Sequence, residues 1–332
     1  MVYLKTIIEI RNLVKKFGDF SAVDNINLDI KEGEIFGLLG PNGAGKTTTI
    51  SMILGIVKPS SGKILVYGID NLKEREKIKH IVGLMTQETI VDSELTAYQN
   101  LEIAGRLYHI SKNDIDAAIQ LALEEAELTE FKDKKAGSFS GGMKRRLYLV
   151  KSMIQKPKVI ILDEPTTGLD IQNRTQMWTR IKELNRKGIT TILTTQYLEE
   201  ADQLCNRIAI IDHGKIIALG TTSELKKMIS KGQILEIITN KDSVSRIMDI
   251  LESKFGLKST AKEDKIESFV EKDEVETLSK VINTISKEKL PLISISLHLP
   301  TLDDVFIKLT GSSMRDTLGE NKSDRSSVML KR

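Results

Sequence analysis

The run Gly40-Pro-Asn-Gly-Ala-Gly-Lys-Thr47 constrains the fold more than any other stretch of the chain. An apolar strand-like segment, Ile35–Leu39, precedes it. A helical pattern follows from Lys46 to about Leu54 and is ended by Gly55 and Pro59. A glycine loop that joins a buried strand to a helix N-terminus belongs to α/β folds with a mainly parallel sheet. The missing side chains let successive backbone N–H groups converge on phosphate oxygens at the positive end of a helix. On this reading Gly40, Pro41, Asn42, Gly43, Ala44, Gly45, Lys46, Thr47 and Thr48 line the phosphates of a nucleotide. Lys46 holds its ammonium between the β- and γ-phosphates, and Thr47 offers its hydroxyl to Mg²⁺. The bland alternative is a glycine turn that binds nothing.

Downstream, Val159–Leu162 is continuously apolar, as a central parallel strand buried on both faces must be. Asp163 and Glu164 follow at its carboxyl end, where open α/β sheets bind ligands. Asp163 is placed to hold Mg²⁺ through a water, and Glu164 to polarise the water that attacks a γ-phosphate. Carboxylates at strand ends also cap helices or face solvent, and that is the competing reading. Around these motifs lie strand-like runs at Ile7–Leu13, Ala22–Ile30, Lys63–Tyr67 and Ile81–Met85. Strands at 159–163, 189–195 and 208–212 alternate with a helix over 172–187, stopped by Gly188, and a second, short helix. Between them, 94–131 turns helical and reads as an inserted subdomain.

Phe139-Ser-Gly-Gly-Met-Lys-Arg-Arg146 lies just before the Asp-Glu strand. A loose phosphoryl transition state needs N–H-rich or positive groups on the side the glycine loop leaves open, and a helix opening at Ser-Gly-Gly supplies them without a charge. Ser140 is equally good chemistry for an ordinary N-cap. Together with Gln87, Leu162-Asp-Glu-Pro and Gly168-Leu-Asp170, in this order and spacing, these motifs resemble the ATP-binding cassette (ABC) family over residues 5–225. The resemblance implies a parallel core, an antiparallel β subdomain and a helical subdomain at about 90–150. It implies that Ser140, Gly141 and Gly142 meet the γ-phosphate of an ATP held by a second subunit. It also implies that Phe17 stacks on adenine, that Gln87 reaches Mg²⁺ and relays its state to the membrane partner docked near it, and that Asp170 contacts the opposite protomer. For Phe17, a core phenylalanine is the competing reading. Phe139 and Met143 replace the family's commoner Leu and Gln.

One departure bears on catalysis. Gln196, in Thr194-Thr-Gln-Tyr-Leu-Glu-Glu, stands where the family usually has His. Its amide can hydrogen-bond a γ-phosphate but carries no proton or charge. The catalytic set implied is Glu164, Lys46 and Gln196, with His213 in a hairpin turn and outside it. Gln at this position, with Thr301-Leu-Asp-Asp-Val-Phe-Ile-Lys-Leu-Thr-Gly near the end, resembles the daunorubicin-resistance, ABC-2 type exporter branch.

The resemblance therefore implies an ATPase that dimerises around two ATP and drives a separately encoded ABC-2 type membrane permease, with drugs or other hydrophobic compounds as cargo. No run reaches the ~20 apolar residues of a membrane span, and the first residues lack the pattern of a signal peptide. The expected location is cytoplasmic, peripheral on the membrane's inner face. The net charge of +3 argues against a dedicated nucleic-acid binder. The single cysteine, Cys205, reads as buried packing. Two other functions compete: a soluble ABC ATPase acting on ribosomes or DNA, and an ATP-sensing module that hydrolyses poorly because of Gln196. Residues 230–311 read as β-α-β-β-α-β, a small ferredoxin-like α+β accessory domain. Residues 312–332 read as a disordered tail.

Overall fold

The computed structural model describes residues 5–229 and 232–310; the polar tail expected at 312–332 lies outside them. In chain order the strands of the first unit are β1 (Thr6–Phe17), β2 (Phe20–Lys31), β3 (Ile35–Leu39), β4 (Ser61–Val66), β5 (Ile69–Asp70), β6 (Val82–Met85), β7 (Val159–Asp163), β8 (Thr190–Thr195), β9 (Arg207–Asp212) and β10 (Lys215–Gly220). Its helices are α1 (Lys46–Ile53), α2 (Arg75–Ile81), α3 (Ala97–Leu107), α4 (Ile115–Glu125), α5 (Gly141–Lys151), α6 (Ile171–Arg186) and α7 (Leu198–Leu204), and α8 (Thr222–Lys227) begins at its last residue. The chain divides into two compact units, one running to Thr222 and the other starting at Ser223.

The first unit holds two sheets. Strands β2-β1-β4-β5 form an antiparallel sheet, and β10-β9-β3-β8-β7-β6 form the second, parallel except for the β9–β10 hairpin at its edge. Every residue of β3, β7 and β8 is buried, which is why β3 and β7 read as unbroken runs rather than alternating ones, while β8 buries four threonines. Ile8, Ile10 and Leu13 of β1 share one core with Phe36, Leu38 and Ile161. The inserted helices build a separate core in which Leu101, Ile119 and Leu123 pack with Phe139 and Leu147. Thr96 opens α3 with a reciprocal capping box to Gln99.

Two local expectations need correction. The opening hairpin is longer than Ile7–Leu13 and Ala22–Ile30, because β1 and β2 stay paired out to Phe17 and Phe20. The strand expected at Ile81–Met85 begins one residue later, since Ile81 closes α2. That helix buries only Ile78, so it leaves no apolar periodicity to read.

In the second unit, β11 (Gln233–Ile238), α9 (Val244–Phe255), β12 (Ser259–Lys262), β13 (Lys265–Val270), α10 (Glu274–Lys287) and β14 (Ser294–His298) follow in sequence, with α11 (Leu302–Thr310) last. The sheet order is β12-β13-β11-β14, antiparallel throughout, the ferredoxin-like arrangement expected. Leu235, Ile237 and Ile266 on one face pack against Ile247, Leu251, Val281 and Ile285 of the two helices, the period-two alternation of a sheet covered on one side.

Candidate active site

Three segments far apart in sequence leave the parallel sheet at the carboxyl ends of its central strands. Leu39, at the end of β3, lies in register with Thr195 of β8, and Asp163 of β7 with Thr194. The glycine loop, the Asp163–Glu164 pair and Gln196 therefore leave the sheet side by side. Gly45 is the N-cap of α1 and brings no side chain to satisfy its first amides, so these N–H groups are left for another acceptor. Gly45 sits at φ 104°, and a Cβ there would meet the Ala22 carbonyl oxygen at 2.4 Å; only glycine fits.

Lys46 is 5% exposed. Its Nζ donates to the Gly40 oxygen at 2.7 Å and the Pro41 oxygen at 3.0 Å, and stands 4.0 Å from Glu164 Oε1. Burial pushes its pKa down, and the Glu164 and Asp163 carboxylates act against this. Thr47 Oγ1 donates to Asp163 Oδ2 at 3.2 Å, and Thr194 Oγ1 donates to the other oxygen of that carboxylate. A hydroxyl and an oriented carboxylate are hard oxygen donors, too few to cage a cation but the usual protein share for Mg²⁺ held mainly by phosphates and water.

Glu164 is buried, and its backbone takes φ 47°, a left-handed conformation costly for a residue with a side chain. Its amide donates to Thr194, at 3.1 Å to the carbonyl and 3.0 Å to Oγ1. Thr167 Oγ1 donates to Glu164 Oε2 at 3.1 Å. Gln196 follows β8, half-buried, with Oε1 lacking a hydrogen-bond partner among the described residues.

The other expected site residues take the following positions. Phe17 is 52% exposed with Lys15 Nζ 4.7 Å from its ring centroid, so the core-phenylalanine alternative fails. Ser140 is the N-cap of α5, its side chain accepting from the Met143 amide at 3.2 Å; it and Gly141 are exposed. Gly142 is buried, and a Cβ there would lie 2.1 Å from Asn173 Oδ1. Asn173 in turn donates to both oxygens of Asp170, the N-cap of α6. Gln87 is exposed, and among the described residues no hydrogen bond joins its side chain to Thr47 or Asp163. Asn42 and Gly43 are exposed, Pro41 and Ala44 buried, and Thr48 half-buried. Cys205 is buried, its thiol pKa raised by that burial, in line with a packing role. His213 sits in the β9–β10 turn at φ 43°.

Sequence reasoning missed four supporting residues: Thr194, Thr167, Arg145 and Glu200. Glu200 is fully buried, and its Oε1 accepts from Thr166 Oγ1 at 2.7 Å and Trp178 Nε1 at 3.0 Å. It thus ties the helix after Gln196 to the loop after Glu164. The threonines carry no periodic signal, and Arg145 and Glu200 read as surface charges on amphipathic helices.

Residues 23–167 match the family described as ABC transporter. The chain is 39% identical over 306 residues to the daunorubicin resistance ATP-binding protein DrrA2 of Streptomyces coeruleorubidus, covering 91% of this chain and 94% of that one. It is 36% identical over 324 residues to the Nod factor export ATP-binding protein I of Cupriavidus metallidurans, covering 94% and 100%. A dimeric ATP-binding cassette in a post-hydrolysis state with ADP and Pi superposes with a TM-score of 0.59 at 26% identity, over 65% of this chain and 98% of that one. Likeness along nearly the whole of such relatives, on the fold and site just described, places the chain in the ABC transporter family.

Proposed function

We propose that the chain is the ATP-binding and ATP-hydrolysing subunit of an exporter, two copies closing around two ATP and driving a separate membrane permease. The observation that carries this reading is the convergence of Lys46, Thr47, Asp163 and Glu164 at the carboxyl ends of the central strands, buried or hydrogen-bonded, while Ser140 and Gly141 stay exposed. One half of a phosphate site is assembled within the chain, and the other half is presented outward. Residues 5–225 form the nucleotide-binding domain, with the helical subdomain at about 90–150, and 230–311 the accessory domain.

On ATP binding, Lys46 moves its ammonium from the Gly40 and Pro41 carbonyls to the phosphates, and residues 40–48 surround them with amides. Thr47 and Asp163, with Gln87 as a further ligand, would hold Mg²⁺, which would supply positive charge to the phosphates when bound. Phe17 supplies an exposed ring for the adenine. Glu164 accepts a proton from the attacking water, and Gln196 donates its amide N–H to the γ-phosphate. Ser140 and the Gly141 and Gly142 amides of the second copy close the far side, with Asp170 at the contact between copies. Gln87, exposed beside the helical subdomain, faces the permease.

No helix among the described residues is long and apolar enough to cross a membrane. On this reading the permease is a separate chain of the ABC-2 type, and this subunit sits on the membrane's cytoplasmic face. The relatives named above serve daunorubicin resistance and Nod factor export. Such different cargo on one kind of ATP-binding chain leaves cargo selection to the permease, with drugs or other hydrophobic compounds the closest analogy.

Glu164→Gln keeps the shape of the site and removes the base. With ATP and Mg²⁺ it should accumulate as a dimer by light scattering, with turnover lost. A variant that stays monomeric, or that hydrolyses like the wild type, would sink the reading.

A further inference from the structure

Arg145 lies on α5, one turn beyond the exposed Ser140, and is 3% exposed. Its guanidinium reaches two segments that neither motif reading connects. Nη2 donates to the Glu164 carbonyl at 2.8 Å and Nε to the Pro165 carbonyl at 2.7 Å. On the other side, Nη1 donates to the Gln87 carbonyl at 2.9 Å, to Thr89 Oγ1 at 3.2 Å and to the Thr86 carbonyl at 3.5 Å. The planar fork is rigid, so its two ends cannot be repositioned independently. Every one of these partners is a backbone carbonyl or a hydroxyl; a fork used only to neutralise charge would favour carboxylates.

The backbone of Glu164 needs such a hold. At φ 47° it occupies a region that persists only where its surroundings over-determine it. Thr194 fixes the amide side, and Arg145 fixes the carbonyl side. The direction of the Glu164 side chain therefore depends on both. Residues 87–90, at the other end of the fork, are exposed.

We infer that Arg145 is a positioning residue that links the surface segment 86–89 to Glu164, so that a displacement at Gln87 reaches the water-activating carboxylate through the guanidinium. Through α5 the same residue also joins the Ser140 end, which faces the second copy's nucleotide, to the chain's own Glu164. This inference rests on the proposed role of Glu164.

The test compares purified full-length Arg145→Lys, Thr89→Val and Glu164→Gln by steady-state ATPase, fluorescent-ATP affinity and thermal melting. A lysine cannot span both ends of the fork. Arg145→Lys should lower kcat by about 100-fold, as expected for a misplaced catalytic group, with KM and ATP affinity within about twofold of wild type. Amides at 86–89 and at 164–167 should exchange hydrogen faster together. A mere brace would lower the melting temperature and leave kcat of the folded protein unchanged, and that result overturns the inference. If Arg145→Lys does not fold, Thr89→Val decides: it loosens one end of the fork and should cut kcat about threefold with KM intact, the effect of one neutral hydrogen bond, whereas wild-type kcat overturns the link. Should Glu164→Gln hydrolyse normally, the role of Glu164 falls and the inference with it. Should Glu164→Gln be inactive while Arg145→Lys matches wild type, the inference alone falls.

Discussion

On the proposed reading, Gln196 sets what the γ-phosphate side of the site can do. Its amide can donate one hydrogen bond without titrating, so proton transfer rests on Glu164, and turnover should have no limb from an imidazole near pH 6.5. Gln196→His should preserve or raise kcat and add such a limb to the pH–rate profile; a collapse of activity would mean the contacts have been rebuilt around glutamine. Glu200 makes a second prediction at this scale. Burial raises its pKa above 4.5, with hydrogen bonds from Thr166 and Trp178, and the nearby Arg174, acting against the shift. A carboxyl raised in the folded state contributes stability that is complete below the unfolded pKa and is lost as pH rises through the folded one. Glu200→Gln is neutral at every pH and keeps the acceptor for Thr166 and Trp178. Its melting temperature should gain on the wild type as pH rises above the ordinary carboxylate range. A gap that stays constant or reverses would show that Glu200 is charged in the folded protein.

Among the elements, α5 does most to organise the site. Its N-cap, Ser140, faces outward, while Gly142 is pressed against Asn173 and Arg145 reaches the end of β7. Capping and phosphate binding are compatible uses of Ser140, and one variant separates them. Ser140→Ala should cost about 1 kcal/mol as a lost cap, visible as a lower melting temperature with or without nucleotide. In a Glu164→Gln background it should also abolish the ATP-dependent dimer; if the dimer survives, Ser140 is a cap and nothing more. The sequence announced this helix because Ser-Gly-Gly is contiguous and opens on a good N-cap residue. It was silent on α2, a helix that buries a single residue, and on Asn173, whose contact with Gly142 depends on how α5 and α6 pack.

For the molecule as a whole, the outward-facing half-site predicts a particular pattern of rescue. Lys46→Ala loses its own nucleotide but keeps a working Ser140 face; Ser140→Arg blocks that face but keeps its own loop. Each should be inactive alone. Mixed in equal amounts with free exchange of subunits, half the dimers are mixed and each has one complete site, so about a quarter of wild-type turnover should return. No recovery, with mixed dimers demonstrated, would mean that each chain completes its own site or that the two sites cannot act singly.

The phosphate loop, the apolar strand ending in Asp163-Glu164 and the Ser-Gly-Gly helix start were legible in the sequence because each is local: its chemistry resides in adjacent residues and the turn they dictate. The β-α-β-β-α-β order of the second unit was legible for the same reason, since helix and strand periodicities alternate along the chain. What only the tertiary structure decided is what stands beside what. Parallel pairing of β3, β7 and β8 sets Leu39 beside Thr195 and Asp163 beside Thr194, a register made by contacts between strands and invisible in any one of them. It also turned Phe17 outward, left Gln196 Oε1 without a partner among the described residues, and buried Arg145 and Glu200. A charged residue on an amphipathic helix reads as solvated until the neighbouring elements are known, because the carbonyls and hydroxyls that satisfy it come from segments far away in sequence.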